Sequence, residues 1–372
     1  MNKILISGIT MASAGTERAF LSFARELCGK ENDITLLLAK KSGGLLGEVP
    51  DEIKICEMRF AGELFTMSGK NAKGVLMRAL VRKHPVKSLA LLRLLPNYIS
   101  KNKRKTAAMR IWLVAMRACC PRAEGKYDEA IAYWGDKTMF YVADKVSAKK
   151  KTAWLHFEYD YPERDDELYG EYFAKFDEIV CVSQRTCAML REKFPESADK
   201  FSFCPIKPDA KSIAARASEP CPETAGDFLK ILSVGRVNPV KGYDIAMPAV
   251  AGLIKNGCAA RWYIVGLCDD EAYLSELKRE AARLGIEENI VFVGEADNPY
   301  KYMKNCDVCI QPSRSESYGL AVSEELLLGK KVICTDIPSA RGSENCILCE
   351  PRSEDFAKEL SKIAKNRCDM EI

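Results

Sequence analysis

Two carboxylates eight residues apart, Glu316 and Glu324, flank Ser317-Tyr318-Gly319 in the stretch PSRSESYGLAVSEELLLGKKVICTD over 312–336. The run before them, DVCIQ, reads as a strand that stops at Pro312, and the run from Leu320 reads as a helix. A helix start exposes N–H groups without intrahelical partners and carries a partial positive charge, so it holds phosphate or sugar hydroxyls. Gly319 lets a ligand approach the backbone closely. One carboxylate at the loop mouth and another in the first turns of the helix suit a polyol flanking a phosphate. Upstream, SVGRVNPVKG (233–242) places Arg236 and Lys241 just after another strand-like run. Two cations at a strand end can hold a pyrophosphate and offset charge on a departing diphosphate. The sequence holds no Asp-x-Asp pair, so no divalent-ion clamp of that kind is expected, and cations with helix N-termini take its place. Walker, first-strand G-x-G-x-x-G and G-x-S-x-G patterns are also missing, which sets aside NTPase, dinucleotide oxidoreductase and α/β-hydrolase chemistry.

These residues need strands to carry them and helices to follow. Short apolar runs alternate with amphipathic segments along all 372 residues: KILISG, DITLLLA, YDEAIAYW, TAWLHF and EIVCVS, then KILSVGR, RWYIVG, NIVFVG, DVCIQPS and KKVICTD. Near-continuous apolar strands alternating with helices imply parallel sheets covered on both faces. The stretch IKPDAKSIAARASEPCPETAGD, rich in Pro, Ala, Ser and acid, divides the chain. The expected organisation is a first domain over 1–208, a linker over 209–227 and a second domain over 228–372. The fold class is α/β, with two doubly wound, Rossmann-like domains whose parallel sheets face a central cleft and whose ligands sit at strand carboxyl ends.

The Glu316-x7-Glu324 pattern with its Pro-Ser and Tyr-Gly core resembles the donor site of the retaining glycosyltransferases of family 4, which have the GT-B fold. Gly235-Arg236 and Lys241-Gly242 resemble that family's diphosphate-binding pair. Ala14-Gly15-Thr16-Glu17-Arg18 is similar to its glycine-rich first loop, Trp154-Leu155-His156 to its active-site histidine, and FDEIVCVS (176–183) to its strand before the interdomain link. The resemblance covers most of the second domain, is patchy in the first, and finds no counterpart over 60–125. It implies that Arg236 and Lys241 hold the diphosphate and that Glu316 and His156 contact the donor sugar. It further implies that Gly15 faces the diphosphate and transferred sugar, that Glu324 binds the ribose hydroxyls, and that the amides of Tyr318, Gly319 and Leu320 hold sugar and phosphate. By the same resemblance, Gly294 and Glu295 fall where that family's nucleotide base docks, and the last helix is one that can return to the first domain. Three departures stand out: Glu325 where the family commonly has Ala, Gly266-Leu267-Cys268 for Gly-x-Gly, and Pro205-Ile206-Lys207-Pro208 for an Asn-Gly turn.

The net charge of +4 hides an asymmetry. From Leu64 to Ala123 there is no Asp or Glu against fourteen Lys and Arg, so the remainder of the chain carries −10. The same stretch holds SLALLRLL (88–95), the cations Lys101, Lys103, Arg104 and Lys105, and MRIWLVAMRACC (109–120). Basic charge beside amphipathic helix suits an anionic membrane surface. A solvated basic face is the plainer reading, and nucleic acid is disfavoured by the leucine content and the lack of a base-reading motif. No apolar run approaches a membrane span, and MNKILISG reads better as a first strand than as a secretory signal. Most of the 16 cysteines sit in strand-like runs and are expected to be reduced core thiols in a cytosolic protein. Cys306-x2-Cys309 and Cys346-x2-Cys349 have zinc-ribbon spacing within each pair but lie in apolar context, so no metal is expected.

The resemblance implies a hexosyltransferase that moves a sugar, most readily from a UDP-sugar, with retention. The acceptor would be a glycan or lipid-linked glycan at the inner membrane face, as in cell-surface polysaccharide assembly. The protein would be cytoplasmic and peripheral, without metal. A non-catalytic nucleotide-sugar sensor or subunit and a GT-B epimerase are the alternatives.

Overall fold

A computed structural model describes residues 1–12, 14–58, 62–66, 74–75, 104–160 and 163–370. The chain separates into two compact units, Met1–Lys207 and Pro208–Ile372.

The first unit is built on a parallel sheet in the order β3-β2-β1-β4-β5-β6-β7. Its strands are β1 (Asn2–Gly8), β2 (Asn32–Leu38), β3 (Lys54–Glu57), β4 (Tyr127–Ala132), β5 (Ala148–Leu155), β6 (Glu178–Cys181) and β7 (Phe201–Phe203). The second unit carries β10-β9-β8-β11-β12-β13, with β8 (Leu229–Val234), β9 (Ala260–Val265), β10 (Ile290–Gly294), β11 (Val308–Gln311), β12 (Val332–Cys334) and β13 (Cys346–Leu348). The central strands are buried on both faces, which explains why they read as unbroken apolar runs: Ile231, Leu232, Cys309 and Ile310 are all enclosed. In each sheet the order reverses once, at β1/β4 and at β8/β11. Ligands of doubly wound sheets bind outside the strand carboxyl ends at that reversal.

Residues 209–227, expected as a linker, are partly ordered into the second unit. Asp209 accepts a hydrogen bond from the Ser212 amide at 3.1 Å and caps a helix over Ala210–Ala217. Ile213 and Ala217, one turn apart, bury their side chains with Tyr300, Tyr302 and Met303. Two apolar positions in eight residues are too few to show as a period in the sequence. The last helix, Ser353–Met370, buries Phe356, Leu360 and Ala364 in the core of the second unit itself.

The basic segment is only partly described. SLALLRLL, Lys101 and Lys103 lie outside the described residues. The helix Arg104–Cys119 is described, and its apolar face points inward: Trp112, Leu113, Ala115 and Met116 belong to the core of the first unit. Trp112 donates from Nε1 to the Leu64 carbonyl at 2.9 Å. Arg110 binds Asp165 and Glu167, and Arg117 binds Asp144. The run MRIWLVAMRACC is therefore core rather than a membrane-facing surface. A helical apolar stripe looks the same whether a core or a lipid covers it. Among the described residues no helix is long and apolar enough to cross a membrane.

The CxxC spacings do not predict the thiol partners. Cys306 and Cys309 do meet, with sulfurs 3.4 Å apart, but Cys346 lies against Cys334 at 3.3 Å rather than against Cys349. No group of three or more His, Cys, Asp or Glu among the described residues is arranged to hold a metal ion.

Candidate functional site

At the reversal of the second sheet, the loops leaving β8 and β11 are locked together. Gly242 has φ +66 and would place a Cβ 2.1 Å from the Pro312 carbonyl oxygen, so the two backbones meet at a point only glycine tolerates. The Arg314 amide donates to the Val240 carbonyl at 2.7 Å, and its guanidinium spans the Pro239 carbonyl and both carboxylate oxygens of Asp244. Tyr273 donates its hydroxyl to Asp244 as well. Burial alone would raise the Asp244 carboxyl, but Arg314 and Tyr273 outweigh it and hold the group below its usual range.

This clamp positions the cations. Lys241 ends the turn Pro239–Lys241 and reaches Glu316, with Nζ 2.5 Å from Oε1. Both side chains are 18% exposed, so the pair is largely withdrawn from water yet open on one side. Ser313 donates to the same Glu316 oxygen at 2.9 Å. Thr335 in turn donates to the Ser313 carbonyl at 2.6 Å. Arg236, more exposed, rests on Asp269 at 2.8 Å, and Asn238 reaches the same carboxylate at 3.4 Å. The loops carrying Arg236 and Asp269 are joined by backbone hydrogen bonds, Gly235 N to Val265 O and Val237 N to Leu267 O.

The expected helix start is present. Gly319 has φ +84 and precedes the helix Leu320–Leu327. Its neighbours are pinned from behind: Ser339 donates its amide to the Tyr318 carbonyl at 2.9 Å and its hydroxyl to the Gly319 carbonyl at 2.7 Å. In planar trans peptides the N–H points opposite the C=O. The N–H groups of Gly319 and Leu320 therefore face away from Ser339. A cationic edge, a carboxylate and oriented amides at a strand-order reversal can bind an anionic, polyhydroxylated ligand.

Arg236, Lys241, Glu316, Tyr318, Gly319 and Leu320 thus lie on two adjoining loops. Glu324 is 5% exposed and accepts a hydrogen bond from the Tyr300 hydroxyl at 2.9 Å. Gly294 and Glu295 lie at the end of β10, two strands from β8, where Gly294 accepts a backbone hydrogen bond from Gly266. In the first unit, Gly15 opens the helix Gly15–Cys28 after β1. His156 follows β5, with its ring 4.5 Å from Tyr133 and 5.9 Å from Trp154. Both its ring nitrogens are covered, and burial pushes its pKa down to about 3, so it stays neutral at physiological pH. Neutral imidazole can share a hydroxyl proton but cannot supply charge.

Sequence reasoning missed Asp269, Asp244, Arg314 and Tyr300. Arg314 and Asp244 are separated by 70 positions, and no local spacing announces such a pair. It flagged Glu325 as a departure without seeing its surroundings. Glu325 is wholly enclosed and accepts from Gln311 Nε2 at 2.8 Å. Burial raises its carboxyl well above the usual value. The native state then holds a proton that the unfolded chain releases above its ordinary pKa, so this group costs stability as pH rises from there. Glu325→Gln keeps the acceptor for Gln311 and removes the linkage. It is expected to raise the chain's stability at neutral pH. The gain over the parent should grow by up to about 1.4 kcal/mol per pH unit between pH 5 and 7, read by urea unfolding.

A family model described as Glycosyl transferases group 1 matches residues 220–371. The second unit carries a glycosyl transferases group 1 domain. Curated relatives of this chain include the lipopolysaccharide core biosynthesis mannosyltransferase LpsB of Rhizobium meliloti (strain 1021). It is 28% identical over 203 residues, 53% of this chain and 52% of that protein. The N-acetylgalactosamine-N,N'-diacetylbacillosaminyl-diphospho-undecaprenol 4-alpha-N-acetylgalactosaminyltransferase of Campylobacter jejuni is 28% identical over 169 residues, 45% of this chain and 44% of that one. The chain spans about half the length of these two relatives. Among solved structures, Anabaena Alr3699/HepE in complex with UDP and glucose superposes with a TM-score of 0.67 at 15% identity, covering 97% of this chain and 89% of that one. WaaG, a glycosyltransferase involved in lipopolysaccharide biosynthesis, gives 0.60 at 14%, covering 97% and 90%. The fold is GT-B. The group 1 domain and the Lys241–Glu316 site occupy the same unit.

Proposed function

We propose that the protein transfers a sugar, with retention of configuration, from a nucleoside diphosphate donor to a glycan or lipid-linked acceptor in polysaccharide assembly. The observation that carries this reading is the Lys241–Glu316 pair, held beside the Gly319 helix start at the β8/β11 reversal. In this reading Lys241, Arg236 and the Gly319 and Leu320 amides take the diphosphate. Glu316 is released from Lys241 to meet the sugar. The acceptor proton passes to the leaving diphosphate oxygen as the new glycosidic bond forms on the same face, which leaves the chemistry to positioning and charge stabilisation. His156 and Gly15 are assigned to the sugar and diphosphate from the first unit, Glu324 to the ribose and Gly294–Glu295 to the base. No metal is assigned to the site.

A UDP-sugar is the proposed donor. Its support is the UDP and glucose bound in the Anabaena neighbour, whose likeness to this chain is one of fold. The basic stretch over 64–123 is proposed to approach an anionic membrane surface at the inner face.

A thermal-shift panel of UDP, GDP, ADP and their common sugars tests the donor. A ligand that binds only the native state stabilises it by about 2.7 kcal/mol at a hundredfold excess over Kd. The expected result is a shift with UDP compounds that Arg236→Ala diminishes. A shift confined to GDP or ADP compounds would overturn the base. No shift with any of them would favour the non-catalytic reading, a sensor or assembly subunit.

A further inference from the structure

Strands β12 and β13 pair in parallel with Val332 opposite Cys346 and Cys334 opposite Leu348. Cys334 and Cys346 therefore share one face of the sheet, and their sulfurs are 3.3 Å apart. We propose that Cys334 and Cys346 are a thiol pair that a hydroperoxide closes to a disulfide, a covalent modification of the strand backing the Gly319 loop.

The two thiols are unequal in a way that suits the reaction. Cys346 is half-buried and reaches solvent, whereas Cys334 is enclosed. The sulfur–sulfur contact with Cys334 holds the Cys346 thiol below its usual value, against the effect of burial. The thiolate is the nucleophile, so Cys346 is the attacking group and Cys334 the resolving one. Two other close pairs lack both features: Cys181 and Cys187 are both buried, and burial pushes the Cys181 thiol up. Cys306 and Cys309 are buried, and burial pushes the Cys309 thiol well up.

The step balances with hydrogen peroxide as oxidant. The Cys346 thiolate attacks one peroxide oxygen, the O–O bond breaks, and Cys346 becomes a sulfenic acid. The hydroxide released takes up the proton that Cys346 had lost to solvent. The Cys334 sulfur then attacks the sulfenic sulfur, the S–O bond breaks, and that oxygen leaves as a second water with the Cys334 proton. Two thiols are oxidised and one peroxide is reduced.

The strand end is tied to the site. Thr335 follows Cys334 and binds the Gln311 and Ser313 carbonyls. Ile337 fills the space behind Gly319, and Ser339 holds the Tyr318 and Gly319 carbonyls. Bond formation draws the sulfurs from 3.3 Å to about 2.05 Å and pulls Cys334 towards β13, away from Ser313. Ligand binding at the Gly319 loop should weaken as a result. That consequence rests on the nucleotide-sugar reading; the disulfide does not.

The full chain is treated with equimolar hydrogen peroxide. Remaining thiols are alkylated and the digest is mapped by mass spectrometry, without nucleotide. The expected product is a linked Cys334–Cys346 peptide that dithiothreitol reverses and that Cys346→Ser abolishes. Cys346→Ala is the companion variant, and the partial exposure of this position lets both fold. Recovery of alkylated Cys346 after peroxide would overturn the proposal. So would linkage confined to Cys306–Cys309, or Cys346 carried to sulfinic acid with Cys334 still alkylatable. For the coupling, the UDP thermal shift should fall at least threefold on oxidation of the parent and hold in Cys346→Ser. An undiminished shift in fully linked protein would overturn the coupling and leave the modification.

Discussion

Lys241→Ala is expected to lower the turnover of the donor sugar by roughly 10²–10³-fold, the range seen when one preorganised stabilising group is removed. Two effects combine. The substitution removes a cation that would face charge building on the leaving diphosphate, and it leaves the Glu316 carboxylate, 18% exposed, with Ser313 as its remaining side-chain donor. An unpaired, partly withdrawn carboxylate is costly even without substrate. Lys241→Arg should not restore the rate, because the aliphatic stem of Lys241 passes close over Gly235 and a bulkier planar guanidinium does not reproduce the point contact that its ammonium makes with Glu316. The measurement is single-turnover release of the nucleoside diphosphate from the donor that the thermal-shift panel selects. Glu316→Ala alone and combined with Lys241→Ala completes a double-mutant cycle. The pair should be strongly non-additive, with the double variant little worse than the worse single. Strict additivity would mean that the two side chains do not act together and would remove the basis of the proposed site.

The second large effect is structural. Gly319→Ala places a methyl 2.2 Å from Ile337 Cγ2 and 3.0 Å from Ser339 Oγ, on a residue with φ +84. The left-handed backbone costs an L-residue about 1–2 kcal/mol and the overpacking about 1–3 kcal/mol more. A loss of roughly 2–5 kcal/mol is expected, read as a lower urea midpoint for the second unit. The chain has a way to relieve the contact: Ile337 can move back, releasing Ser339 from the Gly319 carbonyl. Combining Gly319→Ala with Ile337→Ala should therefore recover part of the stability without recovering ligand binding, because the amides of Gly319 and Leu320 would lose their orientation. Recovery of both would show that the Ser339 tether does not orient them.

How much of this was legible beforehand depended on the distance along the chain. Glu316, Gly319 and Leu320 fall within five residues, so their geometry follows from one strand end and one helix start. The Arg236–Lys241 turn is equally local. The clamp between Arg314 and Asp244 and the rest of Arg236 on Asp269 are tertiary facts, set by which strands lie side by side. Their residues carry no signal beyond being charged. The segment over 109–120 differs from its sequence expectation for another reason. Its apolar stripe was real, but a stripe does not say what covers it, and here Phe65 and Phe140 pack against Trp112. The short capped helix at 210–217 was lost because Ile213 and Ala217 alone make no period.

All side chains of the Lys241 site come from one unit, and the matching family model stops within it. Such an arrangement divides inheritance. On the proposed reading, the half that holds most of the donor contacts can be kept while the other half, with its cation-rich stretch, is exchanged as the receiving molecule changes. On that reading, a chimera joined near Lys207–Pro208 would trade one recipient for another while keeping the Lys241–Glu316 site whole.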